Sequence, residues 1–221
     1  MSDVNPSDFI IARKRKKYRF ALFKNANNCF EFEEWKIWDD ARPLIIELGA
    51  GTALFLVQLA SKYPDQRFIA IDVKADRLQK GAHEALEQGL DNIRFVRARA
   101  DQLREVIADG SVNELWLTFS DPFPRESDAK RRLTAPRFLE LYKQILRPSG
   151  VLRQKTDDHN LFDWSLEQLV TNGWTISELS YDLHASTLPE DYKYMTTYEY
   201  KWQAEGLKTY YLSAITNSAV I

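Results

Sequence analysis

From Arg42 onward the chain alternates short apolar runs with longer stretches of helical period, and few folds accommodate that alternation. PLIIEL (Pro43–Leu48), RFIAIDV (Arg67–Val73), IRFVRA (Ile93–Ala98), NELWLTF (Asn113–Phe119) and GVLRQKT (Gly150–Thr156) read as strands. Leu54–Lys62, Asp76–Gln88, Gln102–Ala108, Pro136–Leu146 and His159–Thr171 read as the helices between them. Near-continuous β-branched and aromatic runs such as FIAI fit strands covered on both faces, as parallel crossovers require. Pro136 suits the first turn of its helix, and RPSG (Arg147–Gly150) stops that helix before the next strand. After Gly173, WTISELSYDL, YKYMTTYEYKWQAEG and KTYYLSAI alternate aromatic or threonine residues with polar ones and read as antiparallel strands. The expected fold is α/β: a Rossmann-like, doubly wound, mostly parallel sheet of about seven strands, with an antiparallel edge and helices on both faces. Residues 1–40 carry little periodicity and are expected to form a basic N-terminal arm and a segment packed around CFEFEEWKIW, with residues 41–221 as one domain.

A chain of 221 residues, 44% apolar and 13% aromatic, can close one full core. No apolar run approaches the roughly 20 residues of a membrane span. MSDVNPSDFIIARKRKKYRF lacks the apolar centre of a signal peptide, so a cytoplasmic location is expected, for a monomer or homodimer. Cys29 is the single cysteine, and His83, His159 and His184 lie far apart in the chain, so no metal is expected. The net charge of −2 says little about partners, but its distribution is uneven. ARKRKKYRF (Ala12–Phe20) and KRR (Lys130–Arg132) suit a polyanion, although such runs are commonly no more than solvated segments.

The first strand runs into ELGAGTALFLVQLA (Glu47–Ala60), a glycine turn that opens a helix. Gly49 and Gly51 let the backbone turn sharply and approach a ligand closely. About twenty residues on, Asp72 ends the second strand, where a carboxylate can accept from ribose hydroxyls. A dinucleotide site would place glycine or alanine where Leu54 stands, so the pyrophosphate pattern is broken. S-adenosylmethionine has no pyrophosphate but does carry a ribose and an amino group, which Glu47 could orient directly or through water. An NAD-dependent oxidoreductase is disfavoured by Leu54 and lacks a hydride-transfer site.

SDPFP (Ser120–Pro124) follows the buried run ELWLTF, and its aspartate and prolines could be a simple strand stop. In combination with IIELGAGTALFLVQLASKYPDQRFIAIDV, LTFSDPFPRESDAKRRL, LRQKTDD and MTTYEYKW, however, it resembles the bacterial tRNA (guanine-N7-)-methyltransferases, the TrmB type, from about Arg42 to Glu199. The resemblance implies a domain that uses S-adenosylmethionine to methylate guanine N7 in the tRNA variable loop, conventionally position 46. It implies Glu47, Gly49, Gly51 and Asp72 at the cofactor, Asp121 as the central acid, and Arg125, Asp157, Thr196 and Glu199 on the guanosine or tRNA side. A further cofactor acid expected after the third strand falls on Arg99, with Asp101 two positions on as a substitute that a helix cap would equally explain. Phe123 stands where tryptophan is usual, and Glu126 and Asp128 dilute a run that is more basic in the family.

Guanine N7 has a free lone pair, so methyl transfer needs positioning more than proton abstraction. Asp121 is expected to accept from the base N1–H and amino group and to favour the cation that develops on the ring, with Pro122 and Pro124 stiffening the turn. The base is expected to be everted or met partly exposed, with Lys130, Arg131, Arg132 and the arm on phosphates; alternatively an arginine of KRR pairs with Asp121 or Asp157 and shapes the loop. Tyr192, Tyr194, Tyr198 and Tyr200 are expected to pack one strand face rather than stack on bases. Trp116 and Trp164 are expected in the core, and neither His159 nor His184 has a partner motif for catalysis. The competing readings are a methyltransferase acting on another RNA base or a small molecule, and a non-catalytic tRNA-binding protein.

Overall fold

The computed structural model describes residues 14–196, 198–200 and 206–216. Eight strands form one sheet: β1 (Cys29–Glu31), β2 (Leu44–Leu48), β3 (Arg67–Asp72), β4 (Ile93–Arg97), β5 (Val112–Thr118), β6 (Leu146–Thr156), β7 (Trp174–Ser180) and β8 (Tyr210–Thr216). Their order is β1-β4-β3-β2-β5-β6-β8-β7. The first six are parallel, and β8 lies antiparallel between β6 and β7. The helices are α1 (Lys14–Asn25), α2 (Leu54–Lys62), α3 (Ala75–Glu87), α4 (Leu103–Val106), α5 (Pro136–Ile145) and α6 (His159–Thr171). No helix among the described residues is long and apolar enough to cross a membrane.

The period of two along a strand assigns its side chains to two cores. Leu44, Ile46 and Leu48 of β2 enter the core covered by α4, α5 and α6, where Phe138, Leu139, Tyr142 and Phe162 are buried. Ile45 enters the other core, with Phe23 of α1, Phe55 and Leu56 of α2 and Leu78 of α3. Every residue of β2 and β3 is buried, so apart from Glu47, Arg67 and Asp72 these two strands are apolar throughout rather than alternating.

The order of connections reverses between β2 and β5. Such a point opens a crevice beyond the carboxyl ends of the strands.

Three elements differ from the sequence expectations. The aperiodic start of the chain supplies α1, which packs on α3, and the edge strand β1, which pairs with β4. RPSG does not separate helix from strand: α5 ends at Ile145 and β6 starts at once, with an irregular register between Val112↔Leu146 and Glu114↔Val151. The segment expected as a strand around Tyr192–Tyr200 is a 3-10 turn (Glu190–Lys193) followed by helical residues 198–200; residues 197 and 201–205 lie outside the described set. Helix begins there because Thr196 and Glu199 cap each other: the Glu199 N–H donates to Thr196 Oγ1 at 3.0 Å and the Thr196 N–H to Glu199 Oε2 at 2.8 Å. The tyrosines consequently divide. Tyr192 packs on Trp116 and Tyr211, whereas Tyr198 and Tyr200 are exposed.

Candidate active site

The glycine turn is held down by β3. The N–H groups of Gly49 and Ala50 donate to the Ile71 carbonyl at 2.8 and 3.1 Å. Asp72 receives the Gly51 N–H at 2.8 Å on one carboxylate oxygen and the Lys74 N–H at 2.8 Å on the other. One acid at the end of β3 thus fixes both its own turn and the neighbouring one, and each oxygen keeps a lone pair for a ligand hydroxyl. Gly49 has φ +73°, and a Cβ there would press on Leu133. A glycine that sequence reasoning passed over completes the arrangement: at Gly81 of α3 a Cβ would sit 2.5 Å from the Thr52 carbonyl oxygen, so only glycine lets α3 pack against the turn.

Two cavities open on this crevice, of about 550 and 520 Å³, and they share Gly49, Arg77, Phe119, Ser120 and Asp121. The first spreads over the ends of β2, β3 and β4 and includes Asp72, Val73, Arg99 and Asp101. The second lies over the ends of β5 and β6 and includes Thr118, Thr156, Asp157, Thr196 and Tyr198. Asp121 stands at their junction, exposed and without a hydrogen-bond or ion-pair partner among the described residues. Its loop is bracketed by two non-glycine residues in the left-handed region, Phe119 (φ 49°) and Phe123 (φ 43°). Such conformations persist only where the surroundings impose them. Part of that constraint comes from Arg132, whose guanidinium donates to the Pro122 and Phe123 carbonyls, both at 3.0 Å, while lying 4.6 Å from the Trp164 ring centroid.

Arg132 is therefore buried and committed to the loop, not turned outward to meet phosphate, and its partners are carbonyls rather than Asp121 or Asp157. Lys130 and Arg131 are exposed; Arg131 lies over the Phe123 ring at 4.2 Å and lines the first cavity. Arg125 is exposed on the same loop but lines neither cavity. The start of the basic run, Ala12 and Arg13, lies outside the described residues.

Glu47 lies in β2, paired with Ala70 on one side and Trp116 on the other, and is only 1% exposed. Thr118 donates to its Oε1, while Oε2 is buried without a hydrogen-bond partner among the described residues. Burial pushes the Glu47 carboxyl up to about 8; Thr118 and Lys155 oppose the rise, and Asp72 and Glu199 add to it. An orphaned buried oxygen beneath the glycine turn suits a donor brought by a ligand or a water. Asp157 is half-buried and likewise raised, first by burial and then by Asp158 and Glu199. After β4, Asp101 grips Arg99 through two bonds of 2.9 and 3.2 Å at the mouth of the first cavity. The turn there is capped by Arg99 and Gln102, the Gln102 side chain accepting the Arg99 N–H at 3.0 Å, so Asp101 is not its cap and remains a cavity-lining acid.

Glu199, expected on the substrate side, has no exposed carboxylate. It receives Lys155 at 2.9 Å, His184 at 3.1 Å and Thr209 at 3.3 Å besides the Thr196 N–H. Burial works against its charge, but the donors outweigh it and hold the carboxyl below the usual range. It anchors the wall of the second cavity from behind. Sequence reasoning missed Lys155 as its partner and missed Arg77 altogether; no group of three His, Cys, Asp or Glu among the described residues could hold a metal ion.

A glycine turn, an acid at the end of the next strand and paired chambers at the sheet's switch point define a Rossmann-like methyltransferase. A profile described as putative methyltransferase (Methyltransf_4) matches residues 41–212. Two curated relatives, both named tRNA (guanine-N(7)-)-methyltransferase, are each 35% identical: one from Brevibacillus brevis, covering 85% of this chain and 88% of its own, and one from Cytophaga hutchinsonii, covering 90% and 96%. The chain belongs to the tRNA (guanine-N7-)-methyltransferase family, of the TrmB type. Among solved structures, the 16S rRNA methyltransferase KamB shares the fold, with a TM-score of 0.61 at 16% identity over 79% of this chain and 88% of that one.

Proposed function

We propose that this protein transfers a methyl group from S-adenosylmethionine to N7 of guanine in the tRNA variable loop, at position 46, in the cytoplasm. The observation that carries the reading is the position of Asp121, unpartnered, where a cofactor chamber meets an acceptor chamber in a chain of this family.

S-adenosylmethionine supplies an electrophilic methyl on a sulfonium. In the first chamber Asp72 would accept from the ribose, Val73 and Asp101 would hold the adenine end, and Glu47, ionised on binding, would take the amino group beneath the glycine turn. Gly49 keeps the floor free of side chains between the two reactants. In the second chamber Asp121 accepts from N1–H and the exocyclic amine of guanine, the edge opposite N7, and so leaves the N7 lone pair free to react. The N7 lone pair forms the new N–C bond as the C–S bond breaks, leaving S-adenosylhomocysteine and a cationic ring that the Asp121 carboxylate stabilises. No base is needed, since no proton leaves in this step. Tyr198 lies beside Phe119 with ring centroids 5.8 Å apart and is the tyrosine suited to stacking on the everted base; Asp157 and Thr196 complete that wall. Arg125 and Lys130 are left for phosphates outside the chambers and Arg131 for one at the rim of the first, with the basic run Ala12–Phe20 as a further phosphate contact.

Mass spectrometry of nucleosides from unmodified tRNA, incubated with protein and S-adenosylmethionine, tests the reading. New 7-methylguanosine that depends on the cofactor is expected. Its absence, with the cofactor bound, would move the acceptor to another RNA base or a small molecule; tight tRNA binding without cofactor binding would make the chain a non-catalytic binder.

A further inference from the structure

Arg77 is the third residue of α3 and lines both chambers. It is exposed, and its guanidinium has no hydrogen-bond or ion-pair partner among the described residues; Asp76, in the same turn, makes no ion pair with it. A cation in the first turn of a helix sits at the positive end of the helix dipole, an arrangement that favours an anion close by. The two chambers differ in what they already offer an anion. The cofactor chamber sets Lys74, Arg99, Arg131 and Arg137 besides Arg77 against the carboxylates of Asp72, Asp101 and Asp121, so its cations outnumber its acids. The acceptor chamber has three carboxylates, Asp121, Asp157 and Asp158, and among its described lining residues Arg77 is the one cation. A nucleotide entering that chamber brings a phosphate past three acids, and Arg77 is the group placed to receive it.

We infer that Arg77 is a phosphate-binding residue for the acceptor nucleotide, holding its backbone at the junction while Asp121 holds its base. The inference rests on the acceptor being a nucleotide, as proposed above. Both the phosphate of a nucleotide and the carboxylate of the cofactor's methionine tail are oxyanions that a guanidinium can clasp in two-pronged fashion; the excess of cations on the cofactor side favours the phosphate.

The test measures direct binding of tRNA and of S-adenosylmethionine to the full chain and to Arg77→Gln and Arg77→Lys, across a salt series. For Arg77→Gln the tRNA dissociation constant is expected to rise about tenfold, and the slope of log affinity against log salt to fall by about 0.7 to 0.9, the loss of one phosphate contact. Arg77→Lys should restore the slope but only part of the affinity, because a lysine is a point charge without the fork. S-adenosylmethionine binding should stay within about twofold. Unchanged tRNA affinity and slope would overturn the inference, and a weakened cofactor with unaltered tRNA would reassign Arg77 to the methionine carboxylate. Because binding is read directly, a wild-type chain that binds tRNA but makes no 7-methylguanosine would count against the proposed reaction and not against this contact. An unchanged melting temperature for both variants confirms that neither perturbs the fold.

Discussion

Lys155 and Glu199 meet at 2.9 Å with both side chains all but excluded from solvent, at 0% and 1% exposure. The pair joins the end of β6 to the segment that carries Thr196 and Tyr198, and Lys155 also donates to the Tyr194 carbonyl at 2.8 Å. Removing one charge strands the other in the core, at a cost of about 3–5 kcal/mol. Glu199→Ala is therefore expected to lower unfolding free energy by about that amount in urea, and Lys155→Met combined with Glu199→Leu to recover part of it. Equal losses in the single and double variants would show that the ion pair is not what holds this wall.

Asp121 carries the proposed grip on guanine and has no hydrogen-bond or ion-pair partner among the described residues. Asp121→Asn is expected to lower kcat for tRNA by about ten- to a hundredfold, the range of one or two hydrogen bonds to a charged group. Calorimetric titration with S-adenosylmethionine should give an unchanged dissociation constant. An active Asp121→Asn enzyme would remove the carboxylate from the reaction.

Glu47 makes stability depend on pH in a stated direction. Its folded-state pKa of about 8 lies above the unfolded value, so the folded chain holds a proton that the unfolded chain has released. That contribution is fully present below the unfolded pKa and declines as pH rises to about 8, by at most about 1.4 kcal/mol per pH unit. Glu47→Gln should flatten the decline in denaturant titrations between pH 5 and 8. If the cofactor's amino group faces an ionised Glu47, binding at pH 7 also releases a proton, which appears as a dependence of the binding enthalpy on the buffer and vanishes in Glu47→Gln.

Arg132 and Lys130 sit two residues apart and should behave differently. Arg132→Met frees the Pro122 and Phe123 carbonyls and should depress kcat through a loosened Asp121 loop, leaving the salt dependence of tRNA binding unchanged. Lys130→Ala should do the opposite, reducing the salt slope with little effect on kcat. Matching phenotypes would refute this division.

At Gly81 the added methyl of alanine meets backbone rather than a yielding side chain. Gly81→Ala should cost about 1–3 kcal/mol of stability and weaken S-adenosylmethionine binding, because the glycine turn must move with Thr52. Wild-type cofactor affinity in a stably folded Gly81→Ala would show that the turn tolerates the shift.

What could be read along the chain is what depends on near neighbours. The alternation of apolar runs and helical stretches, the glycine turn after β2, Asp72 at the end of β3 and Asp121 after β5 are local patterns, and the parallel topology then sends all three to one edge of the sheet. Glu199 looked like a substrate acid because a short motif shows which residues recur together but not which way a carboxylate points. Its direction was decided by a partner 44 positions away, since a buried lysine must find an anion. Arg132 stood in a basic run that read either as a phosphate contact or as an arginine shaping the loop through Asp121 or Asp157; it does shape the loop, but through two carbonyls instead of an acid. The tyrosines of 192–200 alternate as a strand would, yet the reciprocal cap between Thr196 and Glu199 starts a helix and leaves Tyr198 exposed at the acceptor chamber. Arg77 and Gly81 carry no local signal at all. One matters for where α3 begins relative to the two chambers, the other for how closely α3 approaches the Thr52 carbonyl, and both are properties of packing between elements distant in the chain.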